Sequence, residues 1–423
     1  MMKHQAFLLF ILMISGNSIF AQFNLSAEYR PRFEFRDGFK LLPPEFGQTP
    51  AYQVSHRLRL NVGFKWGIVN TYISIQDYRI WGDEPMKKDV AGLSLYQGWA
   101  EIKVCDSFFV KAGRQEFAYD NLRLLDNGGF NQKGTVHDAL LLKYNIRGFS
   151  ADLGLAYNQS RDTINSTDYN TSLGNYKTLS FLWLKFKMKN FGIQGFLIAD
   201  GYQKKLTTNT IYLRGTHGGT ISYFGKHITA EGRSAIQFGK DETGKLINAW
   251  YANIDLTFRP FEFFNIIGGT EFLSGNNGEK PGETRVKYFT PLYGSGHKFN
   301  GNMEYFSKPS GTKYSGLIDV YAKLIFIIKN KYNIQADIHY FRTGNNYVLN
   351  ETVQRPYLGT EADISAKIPI VKYVDLQLGY SAMFGSNTLA SMQGSSKKNF
   401  GHWAFVMLCV KPTIFTYDVE KNK

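Results

Sequence analysis

The chemistry this sequence could do rests with its histidines and its cations. His137, His297 and His339 are residue types that could serve a hydrolase or hold a metal. No HExxH pair, paired-cysteine spacing or Gly-x-Ser-x-Gly elbow accompanies them. We therefore expect no catalytic residue, no cofactor and no metal. Cys105 and Cys409 are too few for a disulfide framework. The arginines and lysines carry more information. There are 49 of them against 35 aspartates and glutamates, a formal charge of +14, yet they sit singly along apolar stretches and form no contiguous patch for nucleic acid. In HRLRLNVGF, Arg57, Arg59 and Asn61 point one way while Leu58, Leu60, Val62 and Phe64 point the other. The same parity puts Lys143, Lys185, Lys187, Arg233, Arg259, Lys323 and Lys367 on the polar side of their segments. Side chains of one sign lining a pore lower the barrier for ions of the other, so this set is a candidate anion-selecting lumen. Acids are expected beside it, namely Asp77, Glu101, Glu231, Asp255, Asp319 and Asp337. Pairing with them would turn the cations into a stiffening lattice.

The elements that must position these residues are strands. Period-2 alternation recurs in ITAEGRSAIQF, YANIDLTFR, SGLIDVYAKLIF, YNIQADIHYF, TEADISAKI and VDLQLGYSAMF. Such runs reach about ten residues, the length of a tilted strand crossing a bilayer, and exceed the five or six usual in a soluble sheet. About eighteen can be placed, with short turns such as Trp66-Gly67 and Arg147-Gly148 alternating with long polar loops. This predicts a single closed, antiparallel transmembrane β-barrel, with short periplasmic turns, long extracellular loops and both termini on the short-turn side. A barrel of that size leaves an aqueous lumen unless a segment folds into it. Cys105 and Cys409 then lie several strands apart and should not be bridged. Most tryptophans are expected at the membrane interfaces, while Trp99 and Trp183 fall on the lumen side.

At the start of the chain, Lys3 and His4 precede an apolar run from Ala6 to Ile14, and Ala21-Gln22 offers a cleavage site. Residues 1–21 are read as a signal peptide for Sec export and 22–423 as one barrel domain in a bacterial outer membrane. The segment from Leu273 to Tyr314 exceeds ordinary loop lengths and contains Arg285, Lys287, His297 and Lys298. It is either a constriction folded into the lumen or an exposed cell-surface loop.

Several stretches, spread over most of the chain, resemble the alginate-export family of outer-membrane porins. They are QDYRIWGDE from Gln76, KAGRQEFAYDNLRLL from Lys111, and FNQKGTVHDALLL from Phe130. Others are GSGHKFNGNMEYF from Gly294, LGTEADISAKI from Leu358, LGYSAMF from Leu378 and HWAFVMLCVKP from His402. Phe130 stands where the family tends to have Trp, and Thr135-Val136-His137 where it tends to have a basic and an aromatic residue. The resemblance implies a basic, constricted lumen passing an acidic polysaccharide, and it brings Arg79, Arg114 and Arg123 to the lumen near the rim. The expected function is therefore a porin, not an enzyme, for diffusion or export of anionic solutes such as acidic oligo- or polysaccharide, in contact with membrane lipid and not with nucleic acid. The other class in play is an outer-membrane enzyme or adhesin with a plugged barrel.

Overall fold

The structure is a computed structural model that describes residues 21–44, 49–87, 90–160, 162, 164–165, 175–203, 210–278, 284–329, 331–394 and 400–418. Of residues 1–21, expected to be a signal peptide, 1–20 lie outside them, and Ala21 opens the first strand.

Alternating side chains and short turns give one closed antiparallel barrel of eighteen strands. The first strand, Ala21–Asp37, pairs with the second, Ala51–Trp66, and also with the last, which closes the wall. That closing strand comes in two pieces, Phe400–Val410 and Thr413–Asp418, because Pro412 has no N–H to give the ladder. The Pro412 carbonyl instead accepts a bond from Ala27 N at 3.1 Å. Both ends of the wall lie on the short-turn side, where Gln22 faces Asp418 and Ala21 faces Trp66. Turns there are tight: Trp66 pairs with Val69 across Gly67, whose φ of 55° lies in the left-handed region that a non-glycine residue resists.

The faces are inverted relative to a soluble protein. Leu58, Leu60, Ile73, Ile75, Leu182, Leu184, Ile254 and Leu256 are exposed, while Arg57, Arg59, Gln76, Arg233, Asn253, Glu271 and Asp319 are buried. Apolar groups outside and polar groups within are what a lipid-facing wall requires. Exposed Trp66, Tyr144, Phe186, Phe224, Phe258, Phe263 and Tyr373 stand beside the short turns and form one interfacial girdle. Cys105 and Cys409 are both free thiols.

Two strands depart from the sequence expectation. The strand Ile211–Phe224 begins before His217 and runs straight through Gly215, Gly218 and Gly219. These glycines leave room for rings: a Cβ on Gly215 would strike Phe238, and one on Gly218 would meet Phe196 and the Ser234 carbonyl. The strand Leu246–Phe261 continues past the turn expected at Arg259-Pro260 by shifting register between Phe258 and Phe261, as a proline in a ladder demands.

Candidate functional site

The lumen is built by two long connections that turn inward. The first, 116–136, carries Phe117, Leu124, Leu125, Asp126 and Gln132, all buried. A basic wall from the first two strands holds it. Arg30 donates to Gln132 Oε1 at 2.9 Å, to the Gly129 carbonyl at 2.7 Å and to the Asn131 carbonyl at 2.9 Å. Arg32 donates to the Phe130 carbonyl at 3.0 Å, and Arg57 to the Asn131 carbonyl at 3.2 Å. A guanidinium presents five N–H groups in a fixed fork, so one side chain can bind several backbone carbonyls at once. These arginines are therefore spent largely on fixing a loop.

The described part of the second connection, 274–278 and 284–316, also folds inward, with Asn300, Met303, Tyr305 and Phe306 buried, and is not an exposed cell-surface loop. Two constellations dock it. Arg123, from the first inward loop, donates to Glu271 Oε1 at 2.5 Å and to Asn300 Oδ1 at 3.0 Å. Asn300 donates in turn to Glu271 at 2.8 Å and to Asp319 at 3.3 Å. Further along, Met303 N donates to Glu361 Oε1 at 2.7 Å, and the Met303 carbonyl accepts from Lys40 N at 3.0 Å. The two connections meet at a parallel bridge between Leu125 and Tyr293, packed among Leu124, Phe289 and Tyr251.

Three cavities succeed one another through what remains. The one nearest the short turns holds about 600 Å³ and is lined by Glu231, Asp255, Glu271, Asp319 and Asp337 with Arg233, Lys298 and Lys323. The middle one, of about 290 Å³, is lined by Arg32, Arg36 and Lys40 with Glu34, Asp126 and Glu304. The outer one, of about 720 Å³, is lined by Arg214, Lys240, Asp241, Glu242 and Lys308. The first and second share Phe130 and His297, whose rings stack with centroids 3.6 Å apart. The second and third share Lys40 and Glu304. His297 Nδ1 lies 3.3 Å from Glu304 Oε1, and Lys40 Nζ lies 2.9 Å from Glu304 Oε2. Burial alone would raise the Glu304 pKa, but His297 and Lys40 outweigh it and hold the carboxyl down at about 2.

Of the cations singled out in the sequence, most point inward and are already partnered. Lys143 meets Glu101 at 2.8 Å, Lys323 meets Asp337 at 3.0 Å, and Arg59 donates to Gln76 at 2.7 Å. Arg57 pairs with Glu28 at 2.6 Å, and Arg233 with Asp120, Glu231 and Asp255. Arg259 donates to Thr229 at 2.7 Å. Lys185 lies over the Tyr119 ring, and Lys367 sits 3.4 Å from Asp375. Lys187 is exposed at the inner end of its strand, opposite Gly192.

Arg79 and Arg114 lie elsewhere. In the strand Val69–Ile80, Ser74 and Gln76 are buried while Ile73 and Ile75 are exposed, so Asp77 and Arg79 belong to the outward face. Arg79 pairs there with Asp77 and Glu84. Gln115 is fully buried, so its neighbour Arg114 also faces out, where it meets Asp138 at 2.8 Å. Arg123 is inside, on the inward loop and not on the rim. Of the loop cations, His297 and Lys298 border the inner cavity, whereas Arg285 and Lys287 lie apart from it. Trp183 is consumed in packing between Tyr119 and Phe196, and Trp99 stacks on Tyr72 with Lys111 over its ring.

Sequence reading passed over Arg30, Arg32, Arg36 and Lys111. Alternation could have found the first three, because in EYRPRFEFR they share a parity with Glu28 and Glu34 against Tyr29, Phe33 and Phe35.

A family profile described as alginate export matches residues 21–402. No curated protein matches the chain. Among solved structures, Pseudomonas aeruginosa OpdL is 11% identical, with a TM-score of 0.59 over 94% of this chain and 99% of that one. OpdK, an outer membrane protein of the same organism solved with vanillate, is 9% identical with a TM-score of 0.58 over 94% and 99%. Acinetobacter baumannii OccAB1 is 12% identical with a TM-score of 0.60 over 93% and 97%. At these identities the likeness is one of fold.

Proposed function

The chain belongs to the alginate-export family, and on that premise we propose that this outer-membrane channel carries small anionic solutes, uronate monomers and short oligomers among them, and not a threaded polysaccharide. The observation that carries this reading is the pair of inward connections, which divide the lumen into cavities of about 600, 290 and 720 Å³. Volumes of that order suit one small solute at a time. At its outer and middle stages six cations, Arg32, Arg36, Lys40, Arg214, Lys240 and Lys308, border the cavities with five acids, Glu34, Asp126, Asp241, Glu242 and Glu304, and this small surplus supports anions. OpdK, a neighbour in fold, was solved with vanillate, itself a small carboxylate. Residues 1–21 serve in this reading as the export signal that is removed.

Liposome swelling with the refolded barrel tests the proposal. Vesicles should swell in a hexuronate and not in alginate polymer, and a salt gradient across a planar bilayer should give a reversal potential on the chloride side. A cation-side potential, or passage of the polymer with exclusion of the monomer, would end this reading.

A further inference from the structure

Around the wall from the first strand, with two strands between, Tyr332–Arg342 and Tyr357–Val371 bring acids face to face. Asp337 stands directly across from Asp363, and His339 directly across from Glu361. Like charges placed opposite each other in a ladder repel, so a sheet does not gather them without something to neutralise them. All four are at least nine-tenths buried. Asp319 from the neighbouring strand Leu317–Ile328 adds a further carboxylate, and the cation lodged among them is Lys323, 3.0 Å from Asp337 Oδ2. Lys323 faces Asp337 and the His339 ring faces Asp319, which leaves Glu361 and Asp363 without an ion-pair partner among the described residues.

The geometry points to a divalent metal site on this wall, with Asp337, His339 and Asp363 as its ligands. Their ligating atoms lie within 4.8 Å of one another, close enough for a single ion to draw together. A second observation concerns the lone pairs. Both Asp363 oxygens, Asp337 Oδ1 and Glu361 Oε2 are buried and make no hydrogen bond of good geometry among the described residues, although Ser381 and Glu361 lie beside Asp363. Buried carboxylate oxygens are almost always bonded, so open lone pairs clustered this closely suit a cation. The imidazole is prepared as well. His339 Nδ1 is held 2.9 Å from Asp319 Oδ2, which places the proton on Nδ1 and leaves Nε2 as the donor lone pair. Imidazole nitrogen with carboxylate oxygens suits zinc or manganese better than calcium, which prefers oxygen alone. Entry is available from the lumen, because Asp337 and His339 border the inner cavity.

The sequence carries no metal motif here because the ligands come from adjacent strands, at positions related by register and not by spacing. On the channel reading, a bound dication would remove negative charge from the inner cavity and make it more permissive to anions. The site itself does not depend on that reading.

Zinc alone is the probe, added to the refolded full barrel in detergent, with bound metal counted by mass spectrometry after gel filtration and affinity measured by calorimetry. Wild type should retain one zinc per chain, manganese should compete, and calcium should not. Asp363→Asn and His339→Ala should each weaken binding by ten- to a hundredfold, with the barrel's heat-shifted gel migration reporting that each variant is folded. Asp363→Asn removes repulsion and should fold at least as well as wild type. The inference is overturned if folded wild type retains no zinc, if both variants bind it as wild type does, or if calcium displaces it.

Discussion

Two stretches of the wall, only two strands apart, handle buried charge in opposite ways. Along the first two strands, Arg30, Arg32 and Arg57 direct their N–H groups at backbone carbonyls of the loop 129–133. Along the strands from Leu317 to Val371, Asp337, Glu361 and Asp363 keep carboxylate oxygens with no well-formed hydrogen bond among the described residues. One stretch is satisfied by the protein's own backbone; the other is left open to a cation or a solute. The difference teaches that counting inward cations does not give the charge a solute meets. A guanidinium bound to three carbonyls still carries its charge, but it cannot turn toward a passing anion without releasing the loop.

The largest effect should come from cutting the joint between the two inward connections. Arg123 and Glu271 are 3% and 2% exposed, so Arg123→Ala strands a buried carboxylate and should loosen the two inward connections by about 3–5 kcal/mol. Hydrogen exchange should rise across 116–136 and 284–316 while the wall stays protected. Next comes the neck at Glu304. Its pKa is depressed from 4.5 to about 2, so its stabilisation is fully present above pH 4.5 and is lost as pH falls through about 2. Lys40 is half exposed, so screening reduces the contribution to about 1–3 kcal/mol. Channel conductance should hold between pH 7 and 4.5 and change only in stronger acid, and Glu304→Gln should abolish that acid transition.

Neutralising Arg57, Arg59 and Arg233 together should shift the reversal potential toward cations, since Glu28 and the Asp120, Glu231 and Asp255 cluster would lose their partners. An unchanged potential would mean these arginines act only on the wall. The smallest effect belongs to the outward face. Arg114 and Asp138 are exposed, so Arg114→Ala should cost about 0–1 kcal/mol and leave the reversal potential where it was. A clear change in selectivity there would contradict the assignment of faces.

The wall was legible because lipid on one side and water on the other impose a two-residue period that every strand repeats. HRLRLN already tells which side Arg57 and Arg59 take. Arg79 and Arg114 were placed inward from a motif resemblance, although QDYRI itself puts Arg79 on the parity opposite to Gln76. Alternation was the better physical guide. The course of the inward connections was not legible, because what holds 129–133 is its carbonyl oxygens, which every residue type carries. The acidic cluster was hidden for a related reason. Asp337 and Asp363 are neighbours only once register is known, and register is a property of two strands together.

An arginine wall holds an inward loop and so sets the width of the path. Single-channel conductance of Arg30→Ala with Arg32→Ala, recorded beside wild type in the same salt, tests it most directly. Loss of their bonds to Gly129, Phe130 and Asn131 should free the loop, and the account predicts a several-fold rise in conductance with frequent closures from an intact barrel. Conductance equal to that of wild type, in a variant whose gel migration shows a folded barrel, would contradict it.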